Sequence, residues 1–101
     1  MIVHNITIKV DPTIEEQWKK WQLEKHIPEV MNTSLFTEYK FYKLLEQHQE
    51  EASTYILQFF VNTTAQLNEY LEKYAPRLSE IAMRKWGNKY IAFRTSMETV
   101  K

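Results

Sequence analysis

A histidine at the end of a predicted helix is the side chain in this sequence best suited to chemistry. His26 follows Trp18 and Trp21 at helical spacing and precedes Ile-Pro-Glu. An imidazole changes protonation near neutral pH, so His26 could act as a base or hydrogen-bond donor at the mouth of a pocket walled by the two tryptophans. The alternative is structural, because a histidine in the last helical turn complements the helix dipole and can bond free carbonyl groups. The structural interpretation is the favoured one.

An arginine in the last predicted strand is the second candidate. Arg94 shares a strand face with Tyr90 and Ala92, where a guanidinium is costly unless a carboxylate or a ligand anion pairs with it. Candidates for that carboxylate are Glu29, Glu38 and Glu98. The alternative is an edge-strand arginine that prevents unwanted strand pairing. Tyr39 of the second predicted strand is the last candidate. The predicted ligand pocket therefore comprises His26, Trp18, Trp21, Tyr39 and Arg94.

Metal and cofactor chemistry finds little support in the sequence. His4, His26 and His48 fall on three different predicted elements without paired ligand spacing, and there is no cysteine. His4, set among isoleucines, is expected to be a core or interface histidine whose ring nitrogens are satisfied. The single glycine excludes phosphate-binding glycine loops and a nucleophile elbow. We therefore predict no metal, no cofactor and no recognisable catalytic constellation.

Length and charge narrow the class of protein. The 101 residues are enough for one domain, residues 1–101, with a single core. Thirteen basic residues balance thirteen acidic ones, which argues against a nucleic-acid binder. The first residues carry no charged leader, and no segment is long enough to span a bilayer. The expectation is a cytoplasmic protein that binds neither nucleic acid nor membrane.

The first half of the chain predicts a strand and a helix. "MIVHNITIKV" alternates with period two, which is typical of a strand. Asp11 and Pro12 start a helix that runs to about His26. Pro28 is expected to stop this helix and to push Ile27 out of helical geometry, so that "PEVMNTS" forms a short turn toward the next strand. The shared face of the strand comprises Ile2, His4, Ile6, Ile8 and Val10.

The second half predicts two further strands, a split helix and a last strand. "LFTEYKFYKLLE" and "TYILQFFVN" are rich in aromatic and β-branched residues, carry bulky groups on both faces and flank a polar connection, "QHQEEAS". Thr63 and Gln66 form a capping box at the start of the second helical region. Pro76 should kink or split that region near Ala75, and Gly87 fits a left-handed C-cap. "KYIAFRTSMETV" closes the chain as a strand.

This order of elements predicts the fold and an assembly. Strand, helix, strand, strand, helix, strand with right-handed crossovers gives an α+β, ferredoxin-like βαββαβ antiparallel sheet with both helices on one face. The other face then needs a cover. A second copy of the chain is the simplest cover, so we predict a homodimer joined through the open sheet face.

Several motifs resemble an uncharacterised bacterial family. "MIVHNITIKVDPTIEEQW", "HIPEVM", "YAPRLSEIAMRKWG" and "AFRTSMETV" together resemble a domain of unknown function of Bacteroidetes-type bacteria, over essentially the whole chain. More distantly, the chain resembles the dimeric α+β barrel superfamily, in which two ferredoxin-like units pack sheet to sheet. That resemblance implies the fold and a dimer, and the nearer family implies no activity.

The superfamily also suggests ligands to test against this sequence. Its members include cofactor-independent monooxygenases and haem-degrading enzymes, and they often hold a small apolar molecule between helices and sheet. The haem enzymes pair an asparagine of the first strand with a histidine late in the second helical region. Asn5 matches the first position, but residues 64–86 contain no histidine, so a haem site is not expected.

Three functions remain open at this point. The favoured one is a non-catalytic dimeric module that binds a small apolar ligand or a partner. The second is a cofactor-independent monooxygenase- or isomerase-like enzyme that uses the space near His26, Trp21, Tyr39 and Arg94. The third is a purely structural or regulatory dimer without a pocket.

Overall fold

The structure, a computed structural model of the chain, describes residues 1–45 and 52–101. Its elements follow the predicted order, with the first helical region divided into three segments and the second into two. They are β1 (Ile2–Val10), α1 (Glu15–Trp21), a π-helical segment (Gln22–His26), α2 (Ile27–Met31), β2 (Glu38–Lys43), β3 (Ser53–Val61), α3 (Thr64–Lys73), α4 (Ala75–Trp86), a 3₁₀ turn (Gly87–Lys89) and β4 (Tyr90–Glu98). His48 and most of the predicted hairpin connection lie outside the described residues.

The four strands form one antiparallel sheet in the order β2-β3-β1-β4. β1 is central, with Ile6 opposite Leu57 of β3 on one side and opposite Arg94 of β4 on the other. The even-numbered residues of β1 are buried against the helices, as the alternating pattern predicts. The ferredoxin-like α+β fold is therefore confirmed.

The first helical run, residues 15–31, does not stop at Pro28 as predicted. The chain widens into the π-helical segment, where the Ile27 N–H donates to the carbonyl of Gln22, five residues earlier. Ile27 keeps helical angles, with φ −59° and ψ −45°. Pro28 lacks an N–H and its ring crowds the carbonyl four residues back, and a π-turn relieves both problems without ending the helix. His26 thus lies inside a continuous helical run, and the helix-end interpretation of this histidine is wrong.

The core lies between the helices and one face of the sheet. Trp18 of α1 is fully buried and its ring centroid lies 5.0 Å from that of Tyr55 and 5.9 Å from that of Phe41. Tyr70 of α3 packs in the same layer against Phe36. The first helical run thus packs on β2 and β3, and α3 contacts both β1 and β3. Within the described ranges, no helix is long and apolar enough to cross a membrane.

The second helical region splits where Pro76 predicts. α3 ends at Lys73, α4 begins at Ala75, and Tyr74 between them leaves ideal helical geometry at φ −118°. The Thr63 hydroxyl accepts the Gln66 N–H at 3.1 Å, as a capping residue should. Gly87 has the positive φ expected of its C-cap, 59°, but its ψ of −130° lies outside the left-handed helical region.

Replacing Gly87 with alanine should lower the free energy of unfolding by about 1–3 kcal/mol. A Cβ at this position would have no atom within 4 Å, so the cost is that of the backbone conformation alone. Urea unfolding of Gly87→Ala measures it, with Asn88→Ala as the control, because Asn88 has no positive φ. Equal stability of the two variants would contradict this account of the C-cap.

Candidate functional site

The structure brings together two of the five predicted pocket residues. Trp21 and His26 stack with ring centroids 5.1 Å apart and an interplanar angle of 14°. Trp18 belongs to the core instead of a pocket wall. Tyr39 is on β2 and Arg94 is on β4, and these strands form opposite edges of the sheet. The five side chains therefore do not surround one space.

His26 is a neutral imidazole with one nitrogen already engaged. Its Nδ1 lies 2.9 Å from Oε1 of Gln22, and because an amide oxygen only accepts, Nδ1 is the donor. Burial, with the nearby charge of Arg94 second, lowers the pKa of His26 from 6.5 to about 4. At neutral pH the other nitrogen, Nε2, therefore carries a lone pair and is free to accept a hydrogen bond. It makes no hydrogen bond with the part of the chain that the structure describes.

Arg94 binds a helix rather than any of the predicted carboxylates. Its guanidinium donates to Oγ of Ser79 on α4 at 3.1 Å. Among the described residues it makes no ion pair, so the predicted pairing with a glutamate is not found. β4 is an edge strand, which agrees with the alternative interpretation. Its charge nevertheless contributes to the lowered pKa values of His4 and His26.

His4 is a core histidine, as predicted. Contrary to the prediction, its ring nitrogens are not both hydrogen-bonded within the described residues. The residue is 3% exposed, and its ring lies near those of Phe36 and Tyr70, at 6.3 and 5.7 Å. Nδ1 is buried and has no hydrogen-bond partner within residues 1–45 and 52–101. Burial first, and Arg94 second, lower the pKa of His4 to about 4. The imidazole is therefore held neutral in an apolar site at some energetic cost.

A groove between the first helical run and α4, here called the helix groove, is the concave feature to which Trp21 and His26 belong. A small cavity of about 170 Å³ and a large cavity of about 490 Å³ share Trp21, Lys25 and Lys85. The small cavity is completed by His26, Glu29, Leu78 and Ile81. The large cavity is completed by Gln17, Lys20, Glu24 and Trp86.

The lysines and Trp86 of the helix groove were not predicted as site residues. The spacing of Trp21 and Lys25, four residues apart, places both on one side of a helix and could have indicated half of the groove. Lys85 and Trp86 come from α4, about 60 positions later in the chain. Only the packing of the two helical runs brings the halves together, and no local pattern encodes it.

The second surface feature is the sheet face that the helices leave open. Phe93 and Ile91 of β4 are 58% and 55% exposed, and they lie opposite Thr7 and Lys9, which also point away from the helices. Met97 of β4 and Tyr42 of β2 are exposed on the same face. Both edge strands therefore carry bulky apolar side chains on the open face, as the strands predict.

A polar strip crosses the middle of this open face. Asn5 accepts from Nε2 of Gln58 at 3.2 Å and donates to Oγ1 of Thr95 at 3.3 Å. These bonds run across three neighbouring strands, β3, β1 and β4. They leave a face that is apolar toward its edges and polar at its centre.

The fold places the protein in a structural class, the ferredoxin-like α+β proteins. It is similar to an ethyl tert-butyl ether D family protein from Bacillus halodurans (TM-score 0.72, 12% identity, 99% of this chain and 100% of that chain). A candidate antibiotic-biosynthesis monooxygenase from Deinococcus radiodurans is similar over 100% of this chain and 94% of that one (0.70, 10% identity). A dimeric ferredoxin-like protein from an uncultured marine organism matches 99% and 96% of the two chains (0.56, 10% identity). At such identities the likeness shows the fold alone.

The family of the chain is also established. The chain belongs to DUF4286, a domain of unknown function, whose family model matches residues 1–100. This match confirms the resemblance to a domain of unknown function, while the bacterial origin stays a prediction. A search of the curated proteins finds no match.

Proposed function

We propose that the protein is a homodimeric binding module in which two copies pack through their open sheet faces and each helix groove takes a small ligand. The observation that carries the dimer is the exposure of Phe93, Ile91 and Met97 on one face of the edge strand β4. A contiguous patch of exposed apolar side chains marks an interaction surface more often than a surface that stays in solvent. A two-fold dimer would bury the same face of both copies.

A ligand-binding role is favoured by the position of the helix groove. The helices cover the sheet face opposite to the proposed interface, so a sheet-to-sheet dimer leaves both grooves accessible. The large cavity, about 490 Å³, falls within the range of about 300–1,000 Å³ that small-molecule sites occupy. Cavities of this size favour a binding module over a purely structural dimer.

Catalysis is the weaker alternative, despite the monooxygenase name of one structural neighbour. An efficient general base needs a pKa near the working pH. With a pKa of about 4, His26 is a poor base at neutral pH, although its Nε2 remains a good hydrogen-bond acceptor. Arg94 and Tyr39, the other polar groups of the predicted site, lie at opposite edges of the sheet. The arrangement suits recognition better than proton transfer.

Phe93→Asp should convert the dimer into a monomer. By symmetry each interface would contain two substitutions, and burying an unpaired carboxylate in an apolar surface weakens association by about 100-fold or more. Sedimentation equilibrium measures the dissociation constant, and circular dichroism checks that the variant still folds. Met83→Asp is the control, because Met83 is an exposed apolar residue of α4 away from the sheet.

Two results would refute the proposed assembly. One is a wild-type protein that sediments as a monomer at high concentration. The other is a dimer that Phe93→Asp leaves intact while Met83→Asp disrupts it, because that dimer would form through the helices.

A further inference from the structure

We propose that the large cavity of the helix groove binds a flat aromatic carboxylate. The proposal rests on the proposed function in one respect, that the helix groove is a ligand site, and it adds the chemical class of the ligand.

Positive charge outnumbers negative charge at the cavity, so the protein itself neutralises it only in part. Lys20, Lys25 and Lys85 line it with a single carboxylate, Glu24. Among the described residues these three lysines form no ion pair, whereas Lys19, one position from Lys20, pairs with Glu16 at 3.3 Å. Ammonium groups that outnumber the carboxylates around a concave surface attract an anion.

The walls of the cavity suit a flat ring. Trp21 and Trp86 meet edge to face, with centroids 5.8 Å apart and an interplanar angle of 76°. The Nζ of Lys85 lies 5.2 Å from the ring centroid of Trp86, so ammonium charge and indole surface are adjacent. A ligand that combines an aromatic ring with a carboxylate matches both features at that separation.

Trp86 also contributes a buried donor without an acceptor. Its Nε1 has no hydrogen-bond partner in the described part of the chain, although the residue lies in the wall of this cavity. A buried indole N–H normally finds an acceptor. A side-chain shift that brought this N–H to the cavity would let a ligand carboxylate oxygen accept from it, which a simple hydrocarbon ligand could not do.

Isothermal titration with 2-naphthoate and 2-naphthamide tests this inference, because the two probes share a ring and differ in charge. We expect 2-naphthoate to bind about tenfold more tightly than the amide, and Lys25→Gln/Lys85→Gln to weaken 2-naphthoate binding about tenfold. The control, Lys19→Gln/Lys89→Gln, removes as many charges outside the cavity and should change the affinity by less than about twofold.

The outcomes separate this inference from the proposed function. Equal binding of the two probes, or equal effects of the two double variants, would overturn the carboxylate specificity and leave a ligand-binding groove. Failure of both probes to bind would overturn the inference. Sedimentation equilibrium of the same sample would test the dimer independently. Since the groove lies opposite the proposed interface, Phe93→Asp should bind 2-naphthoate with unchanged affinity.

Discussion

Acidification from pH 6.5 to pH 4.5 should lower the free energy of unfolding by several kcal/mol, and His4→Leu should remove about half of that loss. His4 and His26 both have a pKa lowered from 6.5 to about 4, by burial first and by Arg94 second. Between pH 6.5 and about pH 4, the two imidazoles are protonated in the unfolded chain and remain neutral in the folded chain. Stability from this source is therefore complete above pH 6.5 and declines as the pH falls toward 4.

Leucine suits the His4 site because the ring packs among apolar groups. Phe36 and Tyr70 flank the imidazole, and its buried Nδ1 has no partner within the described residues. An apolar side chain of similar volume removes both the unsatisfied nitrogen and the titrating group. At pH 7 the variant should thus be at least as stable as the wild type.

Urea unfolding at pH 7 and at pH 4.5 measures the difference. His26→Gln serves as the companion variant, because it removes the second titrating ring and should account for the remaining histidine-linked loss. If His4→Leu lost stability with acidification as steeply as the wild type, the imidazole of His4 would not be held neutral by its surroundings.

The fold was predictable from the sequence because its information is local and repeated. Period-two alternation in β1, the Thr63 cap and the Pro76 break each depend on a few neighbouring residues, and all three are found in the structure. The prediction at Pro28 was wrong because it assumed an α-helical ladder. The π-helical segment offers a different hydrogen-bonding pattern, and a prediction from proline alone does not foresee it.

The candidate site was predicted only where it is local. Trp21 and His26 lie on one helical run and meet as their spacing allows. Tyr39 and Arg94 were grouped with them although a ferredoxin-like strand order places the second and fourth strands at opposite edges. The predicted topology therefore already argued against that grouping. Lys85 reaches the helix groove only through the packing of α4 on the first helical run.

Glu15 shows the same limit: it stands in a run rich in charged residues, "EEQWKK", a pattern typical of a solvated surface, yet its carboxylate is largely shielded from solvent. The side chain is 15% exposed, against 83% for Glu16. Its Oε1 accepts from Ser53 Oγ at 2.9 Å, and its Oε2 accepts from Tyr55 OH at 2.7 Å and lies 3.0 Å from Lys43 Nζ. The signal was present, because position 15 borders the stripe that contains Trp18.

Glu15→Gln should therefore lower the free energy of unfolding by about 3 kcal/mol at pH 7. The carboxylate connects α1 to β2 and β3, and its loss weakens the pairing of Ser53, Tyr55 and Lys43. Burial raises the pKa of Glu15, but the hydrogen bonds from Tyr55, Lys43 and Ser53 outweigh burial and hold it below 4.5. The wild-type advantage is thus complete above pH 4.5 and is lost as the pH falls below it. Urea unfolding over this range checks both the size and the sign, with Glu16→Gln as the exposed control expected to change stability by less than about 0.5 kcal/mol. A Glu15→Gln effect as small as that of Glu16→Gln, or one that grows on acidification, would show that the Glu15 carboxylate does not hold the first helix to the sheet.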